Sequence, residues 1–542
     1  MPSSSSSEKE SDNQIEHAGQ PPMNADEELL HKLGYKQDLS RSISGFSNFA
    51  IAFSCCSVLS GLTPLWGDSM NNAGSMGVIW GWVITGVMTT LVACSLAEIC
   101  SAYPTTGGLY FWVSRLATSD YVPLACWVTG WYNWIGLCFG ITSIDLGLAQ
   151  FIASIINVWR PDVNTSVYMQ YGLYVGILLI HGIINSVAVS WTGVMNQGAF
   201  FANMLGLLII VIAGLAVTYP LASGEFVFTQ FYNGSGFSNN GYAFLLVILQ
   251  SQYTLSGYDS AAHMSEETKN SQKGSPYGIL NAVISNAISG LVFLIAVSFM
   301  VKNFDQQITS DSAISPQIVQ VFLDGVGQAW TMVFLVFVMI SIFFSGSALT
   351  LGSSRMVYAF ARDGAMPFSS YLHSLNPNTK SPVYAVWFNV VVAGIVGVLY
   401  MINSTAYSAI VSVNTIGSQM SYFVPILLRI TVSRKTFIPG PWHLGMFSTL
   451  IGTISCAWIL FTCALFICPT VWPVTPDNMN YAIVPFAFIM ILSTGYFLIW
   501  GRKWFKGPVR VVDGQEVIVG EDEEIIRNDD YWNSEKREIQ GN

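Results

Sequence analysis

Two short polar stretches interrupt an otherwise apolar chain: Ser54–Pro64, reading SCCSVLSGLTP, and Gln250–Thr268, reading QSQYTLSGYDSAAHMSEET. Neither holds a nucleophile–base spacing, a metal triad or a phosphate-cradling loop, so the chemistry on offer is recognition. In the first, Gly61 and Pro64 interrupt helical hydrogen bonding, and Ser57, Ser60 and Thr63 supply hydroxyls. N–H groups freed at the start of the outer half-helix carry partial positive charge and suit a carboxylate. In the second, Tyr253 to Asp259, freed carbonyls of the inner half suit an ammonium group. Together they would receive a small molecule with one anionic and one cationic end. A pair of kinked, purely structural helices is the competing explanation. Hydrocarbon tolerates unpaired amides only where they line a cavity or are buried in protein. Two interrupted helices in corresponding halves of a chain therefore point to a solute site.

The elements that position these stretches are membrane helices. Of the 542 residues, 52% are hydrophobic and only 10% charged, far below the quarter usual for a soluble domain. Runs of roughly 20 apolar residues, the length a bilayer core requires, fall at about 46–71, 77–100, 121–158, 168–189, 196–219, 241–268, 276–300, 329–361, 382–402, 405–430, 446–468 and 480–500. The expected fold is all-α and polytopic, with 12 transmembrane helices.

Charge placement orients the bundle. With the amino terminus inside, every Lys and Arg except Arg160 and Lys302 falls on the inner side, as the positive-inside rule requires. Both termini are thus expected in the cytoplasm. The net charge of −10 comes largely from the tails, where Glu521–Glu524 form a solvated acidic end, and nothing points to nucleic acid. Met1–Asp26 has a disordered composition, and Leu29–Ser44 reads as a surface helix or a linker. The nine cysteines lie in or beside apolar runs without zinc spacing and read as small buried residues. Sequons at Asn164 and Asn233 fall in predicted outer loops, and a third at Asn403 falls in a very short one.

Four motifs carry a family resemblance: Ser57–Gly61 (SVLSG), Ala97–Trp112 (AEICSAYPTTGGLYFW), Ser256–Thr268 (SGYDSAAHMSEET) and Ser354–Pro367 (SRMVYAFARDGAMP). On these the chain resembles the amino acid–polyamine–organocation superfamily. Within it, the likeness is to amino acid/choline permeases such as fungal GABA and choline permeases and plant bidirectional amino acid transporters. The resemblance implies a five-plus-five inverted repeat with discontinuous helices 1 and 6, plus two extra helices. The divisions would be a 1–44 tail, a first repeat at 45–220, a second at 240–432, the extra helices at 444–501 and an acidic tail at 502–542. It further implies that Leu59, Ser60 and Gly61 receive a substrate carboxylate and that Ser256 and Gly257 form the second unwound motif. Tyr253 would close over the substrate, with Asp259 just past the break. Several proton-coupled members carry a lysine in the fifth span; this chain offers Asn196, Gln197 and Asn203 there. Proton symport, sodium coupling and facilitated exchange therefore stay open, and no other cofactor is expected.

Other buried polar residues complete the candidate set. Trp134, Cys138, Ile141 and Asp145 share one helical face, which places Trp134 and Cys138 towards the cavity. Asp145 is an intramembrane acid with a binding, coupling or hydrogen-bonding role, and His181 reads as a packing residue. Glu98, Asn203, His263 and Glu267 are candidate gate or coupling residues, and Glu266 and Glu267 call for a partner such as Arg115 or Arg362. Gly136 and Gly140 have the spacing of close helix packing. The function expected is secondary transport of a small amino acid or amine such as GABA across a membrane, the plasma membrane by default. The alternatives are a choline- or thiamine-type cation transporter and a non-transporting nutrient receptor. Composition leaves the oligomeric state unknown.

Overall fold

Glycines in left-handed conformations, rather than charges, mark where the long helices of this chain turn. The computed structural model describes residues 25–518, apart from 34, 36, 161, 164, 188–190, 311–313, 403–405, 477, 513 and 514. The expected acidic run at 521–524 and the sequons' Asn164 and Asn403 lie outside the described residues. Helices follow in the order α1 (Ala25–Lys32), α2 (Gly45–Cys55), α3 (Val58–Ala102), α4 (Gly108–Leu116), α5 (Val122–Trp159) and α6 (Val167–Val187). Next come α7 (Thr192–Val217), α8 (Gly224–Thr229), α9 (Asn240–Leu246), α10 (Ile248–Thr254), α11 (Ser260–His263) and α12 (Ser271–Phe299). The chain closes with α13 (Ile318–Arg362), α14 (Ser369–Leu372), α15 (Val383–Gly397), α16 (Ala406–Ile430), α17 (Ser448–Leu465) and α18 (Ile483–Ile499).

Among the described residues, nine stretches are long and apolar enough to cross a bilayer. The first, Gly45–Ala102, has 58 residues, roughly 85 Å of helix at about 1.5 Å per residue. That is nearly three times a hydrocarbon core of about 30 Å. It turns at Gly74, where φ is +66°, and a Cβ there would meet the Gln230 carbonyl and Tyr232 amide, each at 2.8 Å. Gly327 (φ +76°) plays the same part near the start of α13. Both glycines fall in or beside the gaps left between apolar runs. Two further helical segments, the broken Asn240–Glu267 and the continuous α16, fall where apolar runs were expected at 241–268 and 405–430.

The third apolar run, α5, forms the axis. Buried residues make up 89% of its apolar window, against 28% for α6 and α7 and 17% for the last span. Gly136 of α5 lies against Ser418 and Gly417 of α16, where an added Cβ would come within 2.6 Å of the Ser418 amide. The glycine spacing thus serves close packing.

Residues 1–24, where a disordered composition was expected, and 519–542 lie outside the described residues. The segment after residue 24 takes the helical alternative and packs on the bundle, and the stretch after Arg502 is not simply a polar tail. Helix α1 buries Leu30 and Leu33, and Ile43 forms a parallel bridge with Thr268. Beyond α18, Trp504 and Phe505 pack edge-on against Trp127 of α5. A small antiparallel ribbon, Val509–Val512 with Gln515–Ile518, follows. The membrane region itself is all helical.

Candidate solute site between two broken helices

The first break is tighter than the sequence suggests and lies upstream of its glycine. Helix α2 ends at Cys55, Cys56 leaves the helical region (φ −95°, ψ 19°), and Ser57 is extended (φ −61°, ψ 131°) before α3 begins at Val58. Leu59, Ser60, Gly61 and Pro64 are therefore helical. Gly61 serves a crossing: a Cβ there would stand 2.7 Å from the Thr254 Cα. No side chain caps the start of α3, which leaves its first N–H groups aimed into the break.

The second break falls where glycine places it. Helix α10 stops at Thr254, Gly257 takes φ +86°, and α11 restarts at Ser260. The carbonyl end is not on the expected side of this break. The chain enters the segment through α9 and α10, so that end belongs to the half first entered, not to the half leading into α12. The Cys56 thiol donates to the Ser256 carbonyl at 3.0 Å, which joins the two breaks directly.

Between them lies a cavity of about 330 Å³ of empty space, lined by Cys55, Ser60, Gly61, Tyr253, Ser256 and Gly257 with further residues of α5, α10, α13 and α16. In this conformation it narrows to room for about one water molecule. At the cavity wall the Tyr253 hydroxyl donates to Ser143 at 3.0 Å. Its lining includes hydroxyls and the Asn414 amide but, among the described residues, no ionisable side chain other than Cys55 and Tyr253. A charged solute would meet backbone dipoles, not a counter-ion.

Several expected site residues lie elsewhere. Trp134 does not face the cavity; its indole N–H donates to Asn389 at 3.1 Å and its ring stacks on Phe388. Cys138 is buried outside the lining. The face of α5 that lines the cavity carries Leu137 and Ile144, because the Gly136 and Gly140 side of the helix is pressed against α16. Ser57 points away, donating to Asn203 at 2.7 Å and sharing a hydrogen bond with Ser341 at 2.8 Å. Asn203 thus tethers the first break to α7 and α13 without a charge. Leu59 is a core residue.

Asp145 pairs with His181 at 3.1 Å, both fully buried. Gly346 lies alongside, where any Cβ would collide with the Asp145 carboxylate. Glu98 accepts from the Leu444 amide at 3.2 Å and from the Ser448 hydroxyl, with Arg429 at 3.6 Å. It fastens α3 to the entry of α17, away from both breaks. Asp259 sits behind the lining, accepting from Asn133 and Tyr422 at 2.8 Å each.

On the face that carries the amino-terminal segment, an ionic layer seals the bundle. Arg355 donates to Glu267 at 2.9 Å, and Arg362 lies 3.7 Å from Glu266. Arg362 is the partner expected for this acidic pair, whereas Arg355 was not anticipated. The signal was present: both arginines lie in the SRMVYAFAR run, seven residues apart and so on one helical face. The Arg362 guanidinium sits 4.0 Å over the Tyr35 ring, and Tyr35 and Tyr110 both donate to Asp363, at 3.3 and 2.8 Å. Burial, then the Asp363 charge, push the Tyr35 phenol well above its usual range, which keeps it a donor. Gln37 and Arg41 donate to the carbonyls of Glu266 and Thr268 at 2.9 and 2.8 Å.

Known proteins share this chain's sequence throughout the bundle. The family model described as amino acid permease matches residues 43–492. This chain belongs to the amino acid permease family. It is 38% identical to the amino-acid permease BAT1 homolog of Oryza sativa subsp. japonica, over 90% of this chain and 96% of that protein. It is 36% identical to amino-acid permease BAT1 of Arabidopsis thaliana, over 90% and 97%. With the GABA-specific permease of Saccharomyces cerevisiae it shares 30% identity over 89% of this chain and 85% of that protein. It is accordingly a multi-pass membrane permease for amino acids and not an enzyme.

Proposed function

We propose that this permease moves a small amino acid, with γ-aminobutyrate (GABA) a leading candidate, by alternating access around the two breaks. The observation that carries the reading is the Cys56–Ser256 bond that joins the two breaks beside a cavity lined without counter-ions. Helix-end N–H groups suit a carboxylate and helix-end carbonyls suit an ammonium, so the site fits a zwitterion. An aromatic cage for a quaternary cation would need Trp134, which instead stacks on Phe388; this disfavours the choline and thiamine alternative. The permease named GABA-specific among its relatives supports the choice of solute.

The reading includes twelve passes, with five-plus-five repeats at 45–220 and 240–432 and two extra helices at 444–501. Both termini are placed in the cytoplasm of a plasma-membrane protein. Tyr253 acts as the outer lid and the Glu267–Arg355 layer as the inner one. The test is uptake into proteoliposomes of a labelled amino acid panel that includes GABA, choline and thiamine, comparing wild type with Gly257→Trp. Saturable amino acid uptake abolished by the variant is the expected result. Uptake that survives a bulky residue at Gly257 sinks the site, and uptake of choline alone sinks the solute class.

A further inference from the structure

The coupling ion can be sought in the hydrogen bonds of one histidine. His263 lies in α11, fully buried, with Nδ1 3.1 Å from the Thr106 carbonyl. A carbonyl only accepts, so Nδ1 must carry a proton and donate. The other ring nitrogen, Nε2, lies 3.3 Å from the Asp259 carboxylate oxygen Oδ2. That approach is close but not aligned as a hydrogen bond, and a neutral imidazole protonated at Nδ1 would bring a lone pair beside that oxygen. Oδ2 already accepts from Asn133 Nδ2 at 2.8 Å, and Oδ1 accepts from the Tyr422 hydroxyl at 2.8 Å. With ionised Asp259 and neutral His263, two buried lone-pair atoms would stand 3.3 Å apart with no proton between them, a desolvated repulsion that low dielectric makes costly. The contact is favourable only with one more proton, as imidazolium against carboxylate or as carboxylic acid against imidazole.

We infer that Asp259 and His263 form a proton-binding site that latches the second half of the broken helix, and that this proton drives the transport cycle. The inference rests on the permease reading and supplies what it leaves open. The geometry makes the pair a latch. Asp259 and His263 are one turn apart on the segment that restarts after Gly257. With the proton present, that segment is tied to Thr106 before α4, to Asn133 of α5 and to Tyr422 of α16. Gly108 (φ +53°) makes room for the ring, since a Cβ there would stand 3.1 Å from His263 Nδ1. When the proton leaves, Nε2 and Oδ2 repel and the ties to the scaffold slacken, which lets the segment swing and the cavity open on that face. The proton enters from one side of the membrane and is released to the other with the solute.

The titratable groups facing the pair are Tyr422 from α16, Tyr258 from the break, and Cys55 and Cys56 from the first break. The next turn carries Glu266 and Glu267, engaged by Arg362 and Arg355. His263 supplies the imidazole, whose two ring nitrogens can both carry a proton.

The test uses the full-length protein in proteoliposomes with an interior pH dye and labelled GABA, or the amino acid best transported in the panel. An inward gradient of one pH unit is a tenfold proton ratio, so one proton per solute can raise accumulation by about tenfold. We expect solute addition to acidify the interior in wild type, and accumulation to follow the gradient. His263→Gln is expected to lose acidification and gradient-driven accumulation while keeping solute-for-solute exchange, which needs no net proton movement. Wild-type uptake without acidification overturns the proton site and leaves the permease reading intact. His263→Gln, or Asp259→Asn with His263→Gln, that still follows the gradient overturns it as well. The wild-type dye signal decides the matter even where a variant fails to fold, and no uptake of any amino acid overturns both readings.

Discussion

Gly61 and Thr254 touch where the two broken helices cross: a Cβ on Gly61 would stand 2.6 Å from the Thr254 hydroxyl oxygen and 2.7 Å from its Cα. The close approach is between backbones, so a side chain cannot simply rotate away. Overpacking of this kind costs about 1–3 kcal/mol, and each 1.4 kcal/mol is worth about tenfold in an equilibrium. Gly61→Ala should cut uptake by about tenfold or more at unchanged expression. Gly176→Ala, at a glycine with open space around it, should leave uptake unaltered. Thr254→Ala should rescue Gly61→Ala only partly, because the main chain at residue 254 still stands in the way.

The Tyr253–Ser143 bond predicts a lid of measurable strength. Removing the hydroxyl in Tyr253→Phe loses about 0.5–1.5 kcal/mol, a two- to tenfold change in the closed population. The half-saturating solute concentration should rise by that factor, and Ser143→Ala should do the same. Combining the two should add little, since one bond cannot be lost twice. A double variant whose effect is the full product of the singles would remove this contact from the lid.

Glu267→Gln should destabilise the protein, because it leaves the fully buried Arg355 facing a neutral amide. Losing one partner of a buried pair costs about 3–5 kcal/mol. Thermal melting in detergent should drop sharply. A charge exchange, Glu267→Arg with Arg355→Glu, should recover part of the loss. Melting unchanged in Glu267→Gln would mean the pair contributes nothing to closure.

Asp145 and His181 face each other outside the cavity lining, so their loss should be felt in stability before affinity. Asp145→Ala strands a buried imidazole donor and should lower the melting temperature, with the half-saturating concentration nearly unchanged. A selective rise in that concentration would place the pair in solute binding instead.

The sequence made some of these arrangements legible and disguised others, for identifiable reasons. Gly257 was readable because a break in an apolar run calls for a residue free to take the positive φ it adopts here; Gly74 and Gly327 were not read from the sequence and emerge only in the fold. Gly61 misled: its glycine answers a neighbouring helix, which a single sequence does not display, so the first break fell at Cys56–Ser57 instead. Trp134 misled because the glycine face of α5 was spent on α16, turning the tryptophan towards α15. Asn414 and Ser418, four apart on one face of α16, line the cavity and looked like ordinary polar residues in a span. Arg355, the partner of Glu267 from 88 residues away, could be read only through its seven-residue spacing from Arg362 on one helical face.

The bridge between Ile43 and Thr268 makes the leading segment part of the closing mechanism, since Ile43 shares backbone hydrogen bonds with the residues just past the second break. Whatever swings that break must tug on this tether. A fluorophore placed upstream of Ala25 would then act as a turnover reporter, its signal rising and falling with each solute carried. Bulky affinity tags fused at the same end would brake the cycle, which makes the carboxyl end the better handle for purification.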